Sequence, residues 1–405
     1  MKKLYIYLLT ATLVGCCKEE IDNTPVESIV NCNLEPDGYN RLRNTSYNHI
    51  NFKPFFNYYT NTPFDSDTHT LFAADLKDNG TNRTTFKVIS NHLDELKGYV
   101  QITDLNNNEL YSFVSPQNFT REILVQDYDN NGYEDVFLVG SGIDTFPYSG
   151  DSNFIVYMSK EGYELVQIDP EVGCFHGAAS GDINNDGYAD IIPIRRNVGN
   201  GASYIYYNNG DRTFTKVPLG NWDLFQQTLQ YELYDINNDG YLDLFLGGQD
   251  YEKEDENLPY RNRVVFGSKD GIDMNNSIDL PTLSEYGTIT NIDFYDIDSD
   301  GTSEVYITRA GSLTSNYYRG VVIEVLTYNG DFKRDKIIKG PVELEQWAYN
   351  SLFTDVDGDC LIDIVPWSPY INDNKRNNPY VYDNSNGFYF RGKENGEFIN
   401  TYRVN

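Results

Sequence analysis

Positive charge is scarce in this 405-residue chain, where 31 lysines and arginines face 61 aspartates and glutamates for a formal net charge of -30 at pH 7. Such a field repels polyphosphates and anionic lipid surfaces, which excludes nucleic acid as a partner. Histidine (4), methionine (3), tryptophan (3) and cysteine (5) are also rare. Beyond the pair Cys16 and Cys17, the widely spaced Cys32, Cys174 and Cys360 do not form a disulfide framework; they read as buried singly or as one pair at most. No nucleophile elbow, zinc-ligand spacing, phosphate loop or dinucleotide fingerprint occurs, so the chemistries those motifs carry find no support. The apolar run from Leu4 to Val14 is too short to span a bilayer as a stable helix.

Carboxylate and amide side chains are abundant, and they recur in one nine-residue form: DYDNNGYED at 127–135, DINNDGYAD at 182–190, DINNDGYLD at 235–243, DIDSDGTSE at 296–304 and DVDGDCLID at 355–363. Each copy offers oxygens at positions 1, 3, 5 and 9 around a tight turn, a donor set suited to a hard cation such as Ca2+. The candidate ligands are Asp127, Asp129, Asn131 and Asp135; Asp182, Asn184, Asp186 and Asp190; Asp235, Asn237, Asp239 and Asp243; Asp296, Asp298, Asp300 and Glu304; and Asp355, Asp357, Asp359 and Asp363. Position 7 adds a backbone carbonyl from Tyr133, Tyr188, Tyr241, Thr302 or Leu361, for up to five structural calcium ions. In the last copy Cys360 stands where glycine would enter a left-handed backbone freely, a conformation costly for a residue with a Cβ.

The copies recur every 53 to 61 residues, a period typical of four-stranded propeller blades. Short runs rich in β-branched and aromatic residues flank each loop, such as TREILVQ before and VFLVG after. Each unit then supplies a second hairpin centred on Asn-Gly, Asp-Gly or Glu-Gly turn chemistry, as in SYIYYNNGDRTFTKV. A unit therefore reads as strand A, cation loop, strand B, a longer connection, strand C, tight turn and strand D.

On these loops and spacings, residues 68–404 resemble the FG-GAP or VCBS-type repeat family, whose calcium-bearing propellers include the integrin α-subunit head. The resemblance implies an all-β propeller over 31–405, seven-bladed by expectation with six as the rival count, and calcium loops between strands A and B. A worn copy at 75–83 has Lys77 and Arg83 in ligand positions, so its cation site reads as dead, with a fixed side-chain charge substituting for the ion against Asp75; a fainter copy lies at 33–41.

The start follows another logic. LVGC, ending at Cys16, resembles a bacterial lipobox, which implies a cleaved leader over 1–15, a diacylated Cys16 and a tether to residue 30. The CKEE that starts at Cys17 resembles an export signal to the outer face of the outer membrane, so the expected location is that membrane, at the cell surface or else on its periplasmic face.

In an antiparallel blade, the B-to-C and D-to-A connections share one end, and that end carries the long segments 141–152, 249–262, 311–319 and 368–385. Binding usually resides on such loops. Trp222, Tyr260, Arg261, Tyr317, Tyr318, Arg319, Trp347, Trp367 and Tyr370 fall there, and aromatic faces with arginine donors suit a sugar ring or extended polymer. In a chain with 34 tyrosines, packing between blades is the competing role. His69 and His176 stand near starts of inner strands, where a histidine would serve a polysaccharide lyase as acid or base, although FHGAASGD at 175–182 also resembles an architectural opening of these repeats. The expected function is a lipid-anchored binding or adhesion module for a glycan or an extracellular or outer-membrane protein. A lyase on the same scaffold and a structural subunit of an outer-membrane assembly are the alternatives.

Overall fold

The chain divides into two compact units, Met1–Asn33 and Leu34–Asn405. The computed structural model describes residues 69–402 apart from 79–81, 92–96, 105, 144–148, 197–202, 221–227, 250–261, 284, 298–299, 312–318, 342–346, 368–369 and 372–387. The faint copy at 33–41 and the expected lipidation site Cys16 lie outside the described residues.

The described residues form six four-stranded antiparallel sheets and contain no helix. Sheet 1 holds β1 (His69–Asp78), β2 (Asn82–Asn91), β3 (Tyr99–Asp104) and β4 (Glu109–Val114); sheet 2 holds β5 (Thr120–Gln126), β6 (Asp135–Gly140), β7 (Phe154–Ser159) and β8 (Gly162–Gln167). Sheet 3 holds β9 (Cys174–Gly181), β10 (Asp190–Arg196), β11 (Tyr204–Asn208) and β12 (Phe214–Pro218); sheet 4 holds β13 (Thr228–Tyr234), β14 (Asp243–Gly248), β15 (Arg263–Val265) and β16 (Ser277–Asp279). Sheet 5 holds β17 (Thr288–Tyr295), β18 (Glu304–Ala310), β19 (Val322–Tyr328) and β20 (Phe332–Lys339). In sheet 6, β21 (Asn350–Thr354), β22 (Asp363–Trp367), β24 (Phe388–Gly392) and β25 (Phe398–Tyr402) pair in order, and the two-residue β23 (Tyr370–Ile371) crosses to pair with β1 of sheet 1.

Burial follows strand order. The first strands β5, β9, β13 and β17 are buried almost throughout, polar residues such as Glu122, Gln230 and Asn291 included, whereas β4, β12 and β25 are largely solvent-facing. Neighbouring sheets share cores. Phe137 and Tyr157 of sheet 2 pack with Ala178 and Ile191 of sheet 3, and Ile192 and Ile205 of sheet 3 with Tyr231 and Leu244 of sheet 4. Phe245 of sheet 4 joins Ile292 of sheet 5, and Tyr306 of sheet 5 joins Phe353 of sheet 6. Phe72 of sheet 1 then lies in one core with Ile123 of sheet 2 and with Leu352 and Val365 of sheet 6, so the packed neighbours return to the first sheet.

The inner strands also meet directly. Gly177 of β9 leaves room for Glu122 of β5; a Cβ there would lie 2.7 Å from Glu122 Oε2. Past that gap Gln230 Nε2 of β13 donates to Glu122 Oε1 (3.3 Å). Register shifts open β5, β13 and β17 between Thr120 and Glu122, Thr228 and Gln230, and Ile289 and Asn291, bulges that re-aim the polar side chains following them.

The worn copy at 75–83, read from the sequence as a dead cation site, is a strand pair: Asp75 pairs with Thr85 and Lys77 with Arg83 along a ladder that continues to Asp78 and Asn82. In the intact copies acids at positions 1 and 9 gather the loop N–H groups; with arginine at position 9, the backbone keeps pairing with itself instead.

Candidate metal loops

The five intact copies share one hydrogen-bond design. The position 1 aspartate accepts from the N–H groups of positions 5 and 6: Asp182 Oδ1 from Asp186 (2.9 Å) and Oδ2 from Gly187 (2.8 Å), Asp235 from Asp239 (3.0 Å) and Gly240 (2.8 Å). Asp127, Asp296 and Asp355 do the same. Position 5 then accepts from the N–H of position 7, as Asn131 does from Tyr133 (2.7 Å) and Asp300 from Thr302 (2.8 Å). The turn requires left-handed backbone at positions 4 and 6: Asn130, Asn185 and Asn238 have φ of 55°, 58° and 57°, and Gly132, Gly187, Gly240 and Gly301 have φ of 91°, 94°, 89° and 87°. Cys360 adopts φ 65° despite its Cβ and is disulfide-bonded, while Cys174 is a free thiol.

Position 9 anchors each loop to the sheet. Asp243 is fully buried; its Oδ2 accepts from Ile236 N–H at position 2 (3.0 Å) and its Oδ1 from Gly267 N–H just beyond β15 (2.9 Å). Asp135, Asp190 and Asp363 repeat this with Tyr128 and Met158, Ile183 and Asn208, and Val356 and Gly392. Glu304, one methylene longer, accepts from Ile297 N–H (3.2 Å). Burial pushes Asp135 up to about 8, Asp190 and Asp243 to about 7 and Asp363 to about 6, and neighbouring loop carboxylates add to each rise.

In loops 1 and 5 the carboxylate oxygens converge. One oxygen each from Asp127, Asp129 and Asp135 lies within 4.8 Å of the others, as do oxygens from Asp355, Asp357 and Asp359. Oxygens on opposite sides of one calcium ion are about 5 Å apart, so these groupings fit a single hard cation. Of these six acids only Asp135 is buried, and a cation beside it would favour its ionisation next to Asp127 and Asp129.

Two features escaped the sequence. Asparagines at position 4 link successive loops: Asn130 Nδ2 donates to Gly187 O and Asn185 Nδ2 to Gly240 O, both at 2.9 Å. Arginines also reach two loops, Arg212 contacting Asp129 and Arg391 contacting Asp357 and Asp359. The only hints were an arginine in the GDRTF turn and another before GKENG, and neither is informative until the register is known.

Of the residues expected on the long-connection side, Trp222, Tyr260, Arg261, Tyr317 and Tyr318 lie outside the described residues, as does the loop ligand Asp298. Trp367 ends β22 and Tyr370 opens β23, where its backbone pairs with Thr70. Arg319 is half-buried beside sheet 5, and Trp347 is buried in a small core with Phe119, Ala310 and Tyr349. His176 is buried in β9, and His69 opens β1.

Residues 182–246, which span loops 2 and 3 with the strands between them, match the FG-GAP-like repeat family. The chain thus carries an FG-GAP-like repeat within an all-β fold of blade-like sheets, the framework of a binding or structural module. No curated protein is significantly similar in sequence. Among solved structures, the chain is similar to BBS1N from its complex with ARL6DN (8% identity, 70% of this chain and 69% of that one, TM-score 0.38). It is also similar to an α-L-arabinofuranosidase of Clostridium thermocellum (14%, 68% and 91%, 0.37) and to the fission yeast SREBP-SCAP binding domains (11%, 85% and 93%, 0.35). Likeness at this level transfers no function.

Proposed function

We propose that the sheets form a six-bladed propeller in which loops 1 to 5 each hold a structural Ca2+, and that this scaffold is a lipid-anchored binding or adhesion module at the outer membrane. Support for six blades comes from the shared cores, which among the described residues run through six sheets and return to the first. Calcium is supported by the repeated oxygen-only loops: among the described residues, no salt bridge reaches the buried position 9 carboxylates Asp135, Asp190, Asp243 and Asp363. Each ion would pin the joint between the first two strands of its blade, with no role in chemistry. A glycan or a protein partner would dock on the opposite end, where the long connections leave the rigid blades.

Calcium is tested by thermal unfolding of the mature protein with and without chelator and by metal analysis. A chelator should lower the melting temperature by several degrees, and Asp239→Ala should remove about one ion per chain; no change in either would refute the reading. Binding is tested on a glycan array and by crosslinking on intact cells, with saturable capture expected on one of them. Anchoring is tested by fatty-acid labelling, which Cys16→Ser should abolish.

A further inference from the structure

Loops 1, 2, 3 and 5 can be compared at the carboxylates of positions 3 and 5. The strand-C residue just before the donor to position 9 is Tyr207 for loop 2 and Phe266 for loop 3. Among the described residues, no cation lies within ion-pair distance of Asp182, Asp186, Asp235 or Asp239. In loop 5 the corresponding residue is Arg391, whose Nε lies 2.5 Å from Asp357 Oδ2 and whose Nη2 donates to Asp359 Oδ2 at 2.9 Å. In loop 1 it is Tyr157, and Arg212 from the last turn of sheet 3 covers that ring at 4.6 Å from its centroid. Arg212 Nε and Nη2 donate to Asp129 Oδ2 at 2.9 and 2.6 Å, and Nη1 to Glu164 Oε2 at 2.6 Å. Two unrelated chain segments thus deliver a guanidinium to the position 3 carboxylate of two loops.

We propose that Arg212 and Arg391 lower the divalent-cation affinity of loops 1 and 5 below that of loops 2 and 3, dividing the sites into two classes; this rests on the calcium reading above. A guanidinium keeps its charge at any working pH, so it permanently offsets part of the charge that attracts the ion. It also sits within hydrogen-bond distance of candidate ligand oxygens, where it repels a bound divalent cation and engages lone pairs the ion would use. The Arg212 and Arg391 side chains are 36% and 33% exposed, so solvent screens them and the effect is moderate. Loops 1 and 5 would keep their shape at low calcium, while loops 2 and 3 depend on the ion.

The test is calcium titration of the chelator-treated full-length mature protein by calorimetry, with bound ions counted by native mass spectrometry. Wild type should show a tighter and a weaker class of site, and Arg212→Gln and Arg391→Gln should each move one ion from the weaker class to the tighter, by about tenfold. Arg212→Lys and Arg391→Lys keep the charge and should leave the ion in the weaker class. Isotherms of the glutamine variants that superimpose on wild type, or lysine variants that shift as far as glutamine, overturn the proposal, as does a single affinity class in wild type with calcium still bound. Absence of any calcium uptake overturns the calcium reading itself and this inference with it.

Discussion

Sheets 1 and 4 follow one four-strand plan and differ at a single joint. In sheet 1, β1 and β2 pair continuously over ten residues each, from His69 with Asn91 to Asp78 with Asn82. In sheet 4 pairing stops at Tyr234 with Asp243, and the chain between them is a loop gathered by Asp235 and Asp243. A blade-like sheet therefore forms with or without the loop. What the loop adds is a buried carboxylate that joins the loop backbone to the third strand, together with an electrostatic cost that sheet 1 avoids. Burial, with Asp235 and Asp239 nearby, pushes Asp243 up to about 7.

The sharpest way to break this comparison is to remove the anchor. Asp243→Ala strands two buried N–H donors, of Ile236 and Gly267, and should cost about 3–5 kcal/mol in urea unfolding. In sheet 1 Asp104 accepts from the N–H groups of Asn106 and Asn108 within its own solvent-facing turn, and Asp104→Ala should cost much less. Similar losses at the two positions would mean that the loop is an ordinary turn.

The next effect separates the loops from the inner strands. Burial pushes Glu122 up to about 8 from its ordinary 4.5, against donors from Ala178 and Gln230. The folded protein thus holds a proton that the unfolded chain releases between about 4.5 and 8. This group's contribution to stability falls as pH rises through that window and levels off above it. Glu122→Gln should remove about 2–5 kcal/mol of that decline and be more stable than wild type at pH 9. The slope that remains should belong to the loop carboxylates and shrink when calcium is added. An unchanged slope in Glu122→Gln would place the pH sensitivity in the loop carboxylates and the buried Asp151 instead.

The repeat of acids, amides and glycines made the loops legible residue by residue, because backbone N–H groups at fixed offsets need acceptors at fixed offsets. The strand plan of each blade was equally legible, from apolar runs punctuated by turn residues. The loss of the cation site at 75–83 was legible too, from Lys77 and Arg83 in ligand positions, but the continuous strand pair that replaces the loop was not, because DLKDNGTNR keeps the glycine and first aspartate of a loop. Arg212 was hidden for another reason. It serves a loop 83 residues away in sequence, and no local pattern encodes a contact between sheets.

The smallest effect concerns the seams between sheets. Asn185 combines a left-handed backbone (φ 58°) with a side-chain bond to Gly240 O, so loop 3 is held by loop 2. At the seam of sheets 1 and 2 no second loop exists, and the main chain of Glu134 bonds Lys77 O (3.0 Å) while Glu134 Oε2 accepts from Lys77 N–H (2.6 Å). Asn185→Ala loses the bond and strains the backbone and should cost about 1–2 kcal/mol, whereas Asn185→Gly loses only the bond and should cost about 0.5 kcal/mol. Glu134→Ala should fall between them, at about 1 kcal/mol, since it leaves the main-chain bond in place. If both Asn185 variants cost the same, the backbone conformation is irrelevant and the link between loops carries the whole effect.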